Sequence, residues 1–378
     1  MNNNHLNISV NHTTISNREL SPTALPVFIG YTEKKQGQLT EITSLDDFNN
    51  MLFTKNAPSE NPNFFYSIKH YFDNGGQTAF VFSLGKKTKT PDWPSIESEF
   101  NQLILKVEAE DSITLLAFPD MFYFKEAKDW QSAWQCLLSI CQVRSGLFTV
   151  LDTPKEGVDQ FLTHNFHGEE FGAAYWPYLI TTYNNDCHQP IEVPPSTAVI
   201  ATMQHMDEAK GIWSAPANVE LAQVIGPSSS TAIDIDLPNQ SAINPIRSLP
   251  NRGTRVWGCR TLSSGLDPAS RYVQVHRLLS YCEQQISRLA QQFLFEPNSE
   301  LTWWKVKSFV DDWLNELWHQ GALAGENESQ AYQVKLGLGE TMTQDDILAG
   351  QMRMSILLSP TFPAEFIELN FVFDMNSD

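Results

Sequence analysis

Residues 64–84 read FFYSIKHYFDNGGQTAFVFSL. Residues 64–72 follow an amphipathic helical pattern, the Asn74-Gly75-Gly76 step stops it, and residues 79–84 form a compact, nearly continuous apolar run. Such a run suits a strand buried on both faces, the condition of a strand in a sheet sandwiched by helices. The same alternation continues on either side. Residues 25–30, 114–118, 147–151 and 173–180 read as buried strands. Residues 44–53, with Ser44 at a cap position and Asp47 three residues later, and residues 130–142 read as helices. Strands alternating with helices predict a layered α/β first domain.

The Pro-rich segment 189–195, with Pro190, Pro194 and Pro195, is the predicted domain boundary because proline resists both helix and central-strand pairing. Beyond it lie two long helical patterns, residues 270–295 and 300–317, separated by Glu296-Pro297-Asn298-Ser299. That tetrapeptide breaks the first helix and offers an N-cap to the second, so the pair predicts a helical hairpin. Afterwards the apolar period falls to two. Tyr332, Val334, Leu336 and Leu338 share one face, Met352, Met354, Ile356 and Leu358 a second, and Ile367, Leu369, Phe371 and Phe373 a third. At the other end, Leu6, Ile8 and Val10 alternate with His5, Asn7 and Ser9 in a polar segment, as in one short strand. The expected organisation is an α/β (α+β) chain. It comprises an N-terminal arm 1–21, an α/β domain 22–192, a second α/β domain 193–360 with helical hairpin and β-hairpin, and a C-terminal strand arm 361–378.

The chain has 378 residues and a formal net charge of −19, against a protein whose whole surface binds nucleic acid or an anionic membrane. The N-terminal sequence lacks a basic region followed by an apolar core, and no apolar stretch is long enough to span a bilayer, so synthesis in the cytoplasm is expected. Five cysteines without a Cys-x-x-Cys pair indicate neither a disulfide framework nor a zinc ribbon. Gly337-Leu338-Gly339 lacks the third glycine and following helix of a phosphate loop and reads as a tight turn. His167-Gly168-Glu169-Glu170 lacks the second histidine of a helical metal motif and reads as a solvated loop. Adjacent Cys187 and His188 do not converge from separate elements, and Asp234 with Asp236 supply too few oxygens for calcium. No enzyme, cofactor or metal site is predicted. An α/β enzyme whose site converges from distant residues is the alternative.

Two side-chain groupings stand out. Arg247, Arg252, Arg255, Arg260, Arg271, Arg277 and Arg288 are opposed only by Asp267 and Glu283, a local basic region in an acidic chain. Trp303, Trp304, Trp313 and Trp318 recur at helical spacings and read as core.

Several stretches, in order, resemble the contractile tail sheath family, especially the sheaths of extracellular contractile injection systems. They include residues 23–33 (TALPVFIGYTE), 42–48 (ITSLDDF) and 71–76 (YFDNGG) feeding Ala79-Phe80-Val81. Residues 194–199 (PPSTAV), 211–218 (GIWSAPAN), 244–247 (NPIR), 253–258 (GTRVWG) and 260–262 (RTL) follow, and then 362–367 (FPAEFI). The Pro-Gly-Val-Tyr element with which many sheaths begin is missing.

The resemblance implies a structural subunit that polymerises in hexameric rings around an inner tube and contracts to drive it out, without a nucleotide engine. It implies as partners further copies or sheath paralogues in six-fold rings, the inner tube protein, and baseplate and cap proteins, with no nucleic acid and no membrane insertion. The particle would be phage-tail-like and released extracellularly. A specialised ring next to the baseplate or cap and the repeating main sheath both fit. The resemblance further implies that both terminal arms add strands to neighbouring subunits, through Leu6, Ile8, Val10, Ile367, Leu369, Phe371 and Phe373. The hairpin carrying Val334, Leu336, Met354 and Ile356 would receive them. Periodicity alone favours the last strand pairing within its own chain. An inner-wall position for the second domain makes Arg271, Arg277 and Arg288 the tube-facing candidates, against the alternative that they pair within the subunit.

Overall fold

The computed structural model describes residues 22–54, 62–156, 158, 164–185, 187–229, 243–263, 268–361 and 367–375. The arm residues Leu6, Ile8 and Val10, and also Asp234, Asp236 and residues 362–366, lie outside them. The first sheet comprises β1 (Pro26–Gly30), β2 (Leu39–Ile42), β3 (Ala79–Ser83), β4 (Leu115–Ala117), β5 (Phe148–Asp152), β6 (Gly172–Trp176), β10 (Ile243–Leu249) and β11 (Gly253–Val256). Its order is β11-β10-β6-β5-β4-β1-β3-β2, with parallel pairing from β10 across to β3 and an antiparallel strand at each edge. The parallel interior is what the apolar runs predict.

Helices cover both faces. On one lie α3 (Glu97–Ala109) and α4 (Ala127–Cys141), which pack Phe100, Leu103, Trp134 and Leu137 on Val27, Ile29, Leu116 and Leu151. On the other lie α1 (Leu45–Leu52), α2 (Pro62–Asp73) and α5 (Ser196–Lys210), packing Phe48, Phe64, Ile68 and Ile200 on Phe28, Val81, Leu115 and Val150. Ser44 caps α1, its hydroxyl accepting the Asp47 N–H. The Asn-Gly-Gly step has a steric reason. Gly75 takes φ +84°, and a Cβ at Gly76 would stand 2.5 Å from the Tyr71 ring, so the turn tolerates glycine alone. Asn74 then accepts the Ala222 N–H at 2.8 Å, tying this turn to a distant segment.

Two sequence expectations are corrected, and the Pro-rich segment, which resists central-strand pairing, proves to hold an edge strand. The single strand expected over 173–180 is two, β6 and β7 (Leu179–Asn184), in different sheets, because Pro177 has no N–H to continue the ladder. The Pro-rich segment contains an edge strand, β8 (Pro190–Val193), which pairs with β7 beside β9 (Val224–Pro227). Pro190 is its exposed first residue, where a missing donor is tolerated. The first long helix is interrupted by extended Tyr272, leaving a short turn Pro268–Arg271 and then α6 (Val273–Gln291).

Helix α5 and strands β10 and β11 pack into the first sheet and its cores. The third apolar cluster begins in sequence at Ile212 and is made chiefly by α6, α7 (Glu300–His319) and a three-stranded sheet. That sheet is an antiparallel meander of β12 (Tyr332–Lys335), β13 (Gln351–Leu358) and β14 (Ile367–Asp374). Ser299 stands at the α7 N-cap in extended conformation but makes no side-chain cap bond, its hydroxyl lying 3.4 Å from that of Thr302.

Candidate assembly surfaces

Strand β14 pairs with β13 along its whole length, from Leu358 opposite Ile367 to Gln351 opposite Asp374. The reading from periodicity alone therefore holds within the subunit, and strand donation is not the arrangement of the isolated chain. Leu369 and Phe371 are buried in the third core, and Phe373 stacks on Phe371 at 6.0 Å. The alternate residues Glu368, Asn370, Val372 and Asp374 are exposed. Among the described residues β14 has no partner on its other side, so eight residues of edge backbone are available to another chain. The receiving-hairpin residues Val334, Leu336, Met354 and Ile356 are all buried against the helical hairpin. Any receiving is done by backbone edges.

The tryptophans split. Trp303 and Trp313 are buried, and the Trp303 indole N–H donates to Asn298 Oδ1 at 2.6 Å. Trp304 is 72% exposed, one turn from Leu301 at 67%, and Phe295 in the preceding turn is 86% exposed. A 3.6-residue helix turns Trp304 about 100° away from Trp303, off the buried stripe of Val306, Val310 and Trp313. The expectation that all four are core fails at Trp304.

The arginines split as well. Arg277 is 4% exposed and forms a bidentate pair with buried Asp207 on α5, Nη1 to Oδ1 at 3.1 Å and Nη2 to Oδ2 at 2.6 Å. It cannot face a tube, because its guanidinium is enclosed within the subunit. Arg288 is partly exposed and approaches Asp111 at 3.6 Å, and Arg271 lies over the Tyr272 ring at 5.6 Å. Arg255 pairs with Glu220 at 3.0 Å, and Arg252 donates to Asn218. Three arginines of the basic region, Arg255, Arg277 and Arg288, thus pair with carboxylates distant in sequence.

Two enclosed titratable groups, Asp152 and His276, are not among the residues singled out from the sequence. Burial pushes Asp152, at the carboxyl end of β5, up to about 7 despite hydrogen bonds from Ser196. Burial likewise holds His276 on α6 down to about 4, its ring between Phe148 and Phe171. A carboxylate ending an apolar parallel strand was the available signal for the first. Nothing local marked the second. His167 is exposed, with Glu169 and Glu170 half-buried in a short helical turn, Gly339 makes a turn bonded to Met342, and Cys187 and His188 lie at the surface. Among the described residues no group of three or more His, Cys, Asp or Glu is placed to hold a metal ion. None of their helices is long and apolar enough to cross a membrane.

No family model matches the chain. Over 186 residues it is 26% identical to the tail sheath protein of Vibrio phage KVP40, covering 48% of this chain and only about a quarter, 26%, of that protein. A chain in the cryo-EM structure of the anti-feeding prophage baseplate in its contracted state is 32% identical, with 98% of each chain covered and a TM-score of 0.81. A chain of the contracted PVC sheath complex, an extracellular contractile injection system, is 32% identical over 93% of this chain and 92% of that one, with a TM-score of 0.74.

Proposed function

Because this chain belongs to the contractile tail sheath family, we propose that it forms a six-fold sheath ring around an inner tube and drives that tube by rearranging its contacts. The observation that carries this reading is the end-to-end likeness to a chain of a contracted baseplate, 98% of both chains at a TM-score of 0.81. The likeness to the PVC sheath chain is slightly shorter and looser. The same comparison favours the ring that joins sheath to baseplate over the repeating main sheath.

The terminal arms are the connectors. Residues 1–21, with Leu6, Ile8 and Val10, reach a neighbouring subunit, and β14 offers its open edge or exchanges onto a neighbour's β13. Strand exchange preserves the same backbone bonds, so its two arrangements differ little in energy and suit a lattice that must move without dissolving. Arg271 and Arg288 are the remaining tube-facing candidates. The particle is made in the bacterial cytoplasm and acts outside the cell that made it.

The test is co-expression with the tube and baseplate proteins followed by electron microscopy and copy counting. Six copies per particle, next to the baseplate, is the expected result. A copy number that scales with sheath length reassigns the chain to the main sheath, and the absence of rings or cylinders overturns the reading.

A further inference from the structure

The chain leaves residues 1–21 through a path in which consecutive backbone groups are held by different elements. The Thr23 carbonyl accepts from Arg277 Nη2 of α6 at 2.8 Å, and the Ala24 carbonyl accepts from Gln204 Nε2 of α5 at 2.8 Å. The Leu25 N–H donates to the Thr114 hydroxyl at 2.9 Å, and the Leu25 carbonyl accepts the Thr114 N–H at 2.9 Å, just before β1 begins. Arg277 and Gln204 are themselves fixed. Arg277 is locked on Asp207, and Gln204 Oε1 accepts from the Tyr71 hydroxyl at 2.6 Å and the Gln77 N–H at 3.1 Å.

We infer that Arg277, Asp207 and Gln204 form a clamp that anchors the root of the N-terminal arm and delivers a pull on that arm to both halves of the subunit. Asp207 and Gln204 sit on α5, a helix of the first sheet's cover, and Arg277 sits on α6, a helix of the third core. The pair is enclosed, at 3% and 4% side-chain exposure. A buried ion pair is a weak source of net stability, since an apolar replacement of the same volume is often neutral or better. Its distinctive product is position. The arginine fork spans a carboxylate and a third acceptor in one fixed plane, which an apolar contact cannot do. Arg277 is therefore a positioning residue for the arm. The inference rests on the proposed tethering role of residues 1–21.

The experiment compares wild type with the double variant Arg277→Met, Asp207→Leu, which removes both charges together. Hydrogen exchange of the isolated chain at the Leu25 amide, which donates to Thr114 one residue beyond the clamped carbonyls, is measured beside the yield of rings or cylinders on co-expression with tube and baseplate proteins. Exchange should accelerate about tenfold or more at that amide and little in β5 or β13. The yield of rings or cylinders should fall by a similar factor, because a loosened root recurs in every subunit of a ring. Unchanged exchange overturns the clamp, and accelerated exchange with a full yield of rings or cylinders overturns its role in assembly. Should the double variant fail to fold, Arg277→Lys replaces it. Its side chain is one atom shorter and ends short of the Nη2 position, so the same two readouts should move in the same direction. If wild type itself makes neither rings nor cylinders, the sheath reading fails, while exchange still tests the clamp.

Discussion

Asp152 and Ser196 meet where β5 ends and α5 begins, the carboxylate accepting the Ser196 N–H on Oδ1 at 2.8 Å and the Ser196 hydroxyl on Oδ2 at 2.6 Å. Both residues are buried, and the couple joins the middle of the parallel sheet to the first turn of the helix covering it. Two donated hydrogen bonds favour the charged carboxylate, yet burial outweighs them.

The consequence is a pH dependence of known sign. The folded value of about 7 lies above the ordinary 3.8, so the folded state holds this proton more tightly than the unfolded chain. The contribution is complete below pH 3.8 and is lost as pH rises through 7, on the order of 4 kcal/mol in all. Asp152→Asn, which cannot ionise, should gain on wild type between pH 5 and pH 7 in urea unfolding and level off above that. A difference that stays constant over that range would rule the assignment out.

His276 acts in the opposite direction. Its folded value near 4 lies below the ordinary 6.5, so its stability contribution is present above pH 6.5 and lost as pH falls toward 4. His276→Phe, which extends the aromatic contacts with Phe148 and Phe171, should flatten the acid limb of the stability curve. Urea midpoints at pH 7 and pH 5 check this, and a variant as acid-sensitive as wild type contradicts it.

The first sheet was legible because strands buried on both faces announce themselves as short apolar runs, from residues 25–30 to 147–151. Strands β10 and β11 and helix α5 lie beyond the Pro-rich break yet pack with the first sheet and its core, since sequence order carries no information on which core a segment joins. The surfaces were less legible for the same reason. Arg277 and Arg288 look alike in the sequence, and what separates them is a partner 70 residues away, Asp207, that encloses one guanidinium. Adjacent Trp303 and Trp304 differ only by the phase of α7 relative to the third core.

That phase is testable at both positions. Trp303→Ala removes a buried ring and strands the Asn298 oxygen, so it should destabilise by about 3–5 kcal/mol. Trp304→Ala should stay within about 0.5 kcal/mol of wild type in the isolated chain. Thermal unfolding of the two variants side by side decides it, and equal losses would mean that the helix is rotated from the position described.

Removing β14 is a poor probe of assembly, because Leu369 and Phe371 belong to the third core and their loss should unfold that half by several kcal/mol. Val372, 56% exposed on the solvent face of β14, is the better position. Val372→Lys should leave the melting temperature nearly unchanged and reduce polymer formation, as a charge placed on an edge strand discourages pairing with another chain. Light scattering of the variant mixed with wild type reads this directly, and normal polymers remove β14 from the assembly contacts.

The arginines give the last prediction, in which position and not charge decides the outcome. Arg277→Glu sets a second carboxylate against Asp207 in an enclosed site, breaks the bidentate pair and frees the Thr23 carbonyl, so it should cost at least about 3–5 kcal/mol and yield little soluble protein. Arg271→Glu with Arg288→Glu alters partly exposed groups, where each lost pair is worth only about 0–1 kcal/mol, so the melting temperature should move by a few degrees at most. Repeated around a ring, the same two reversals should weaken tube co-purification severalfold. Added salt should weaken wild-type binding in parallel, since the screening length falls to about 3 Å at 1 M. Co-purification of the double variant at wild-type levels in low salt would remove Arg271 and Arg288 from the inner wall and leave the whole basic region as intrasubunit structure.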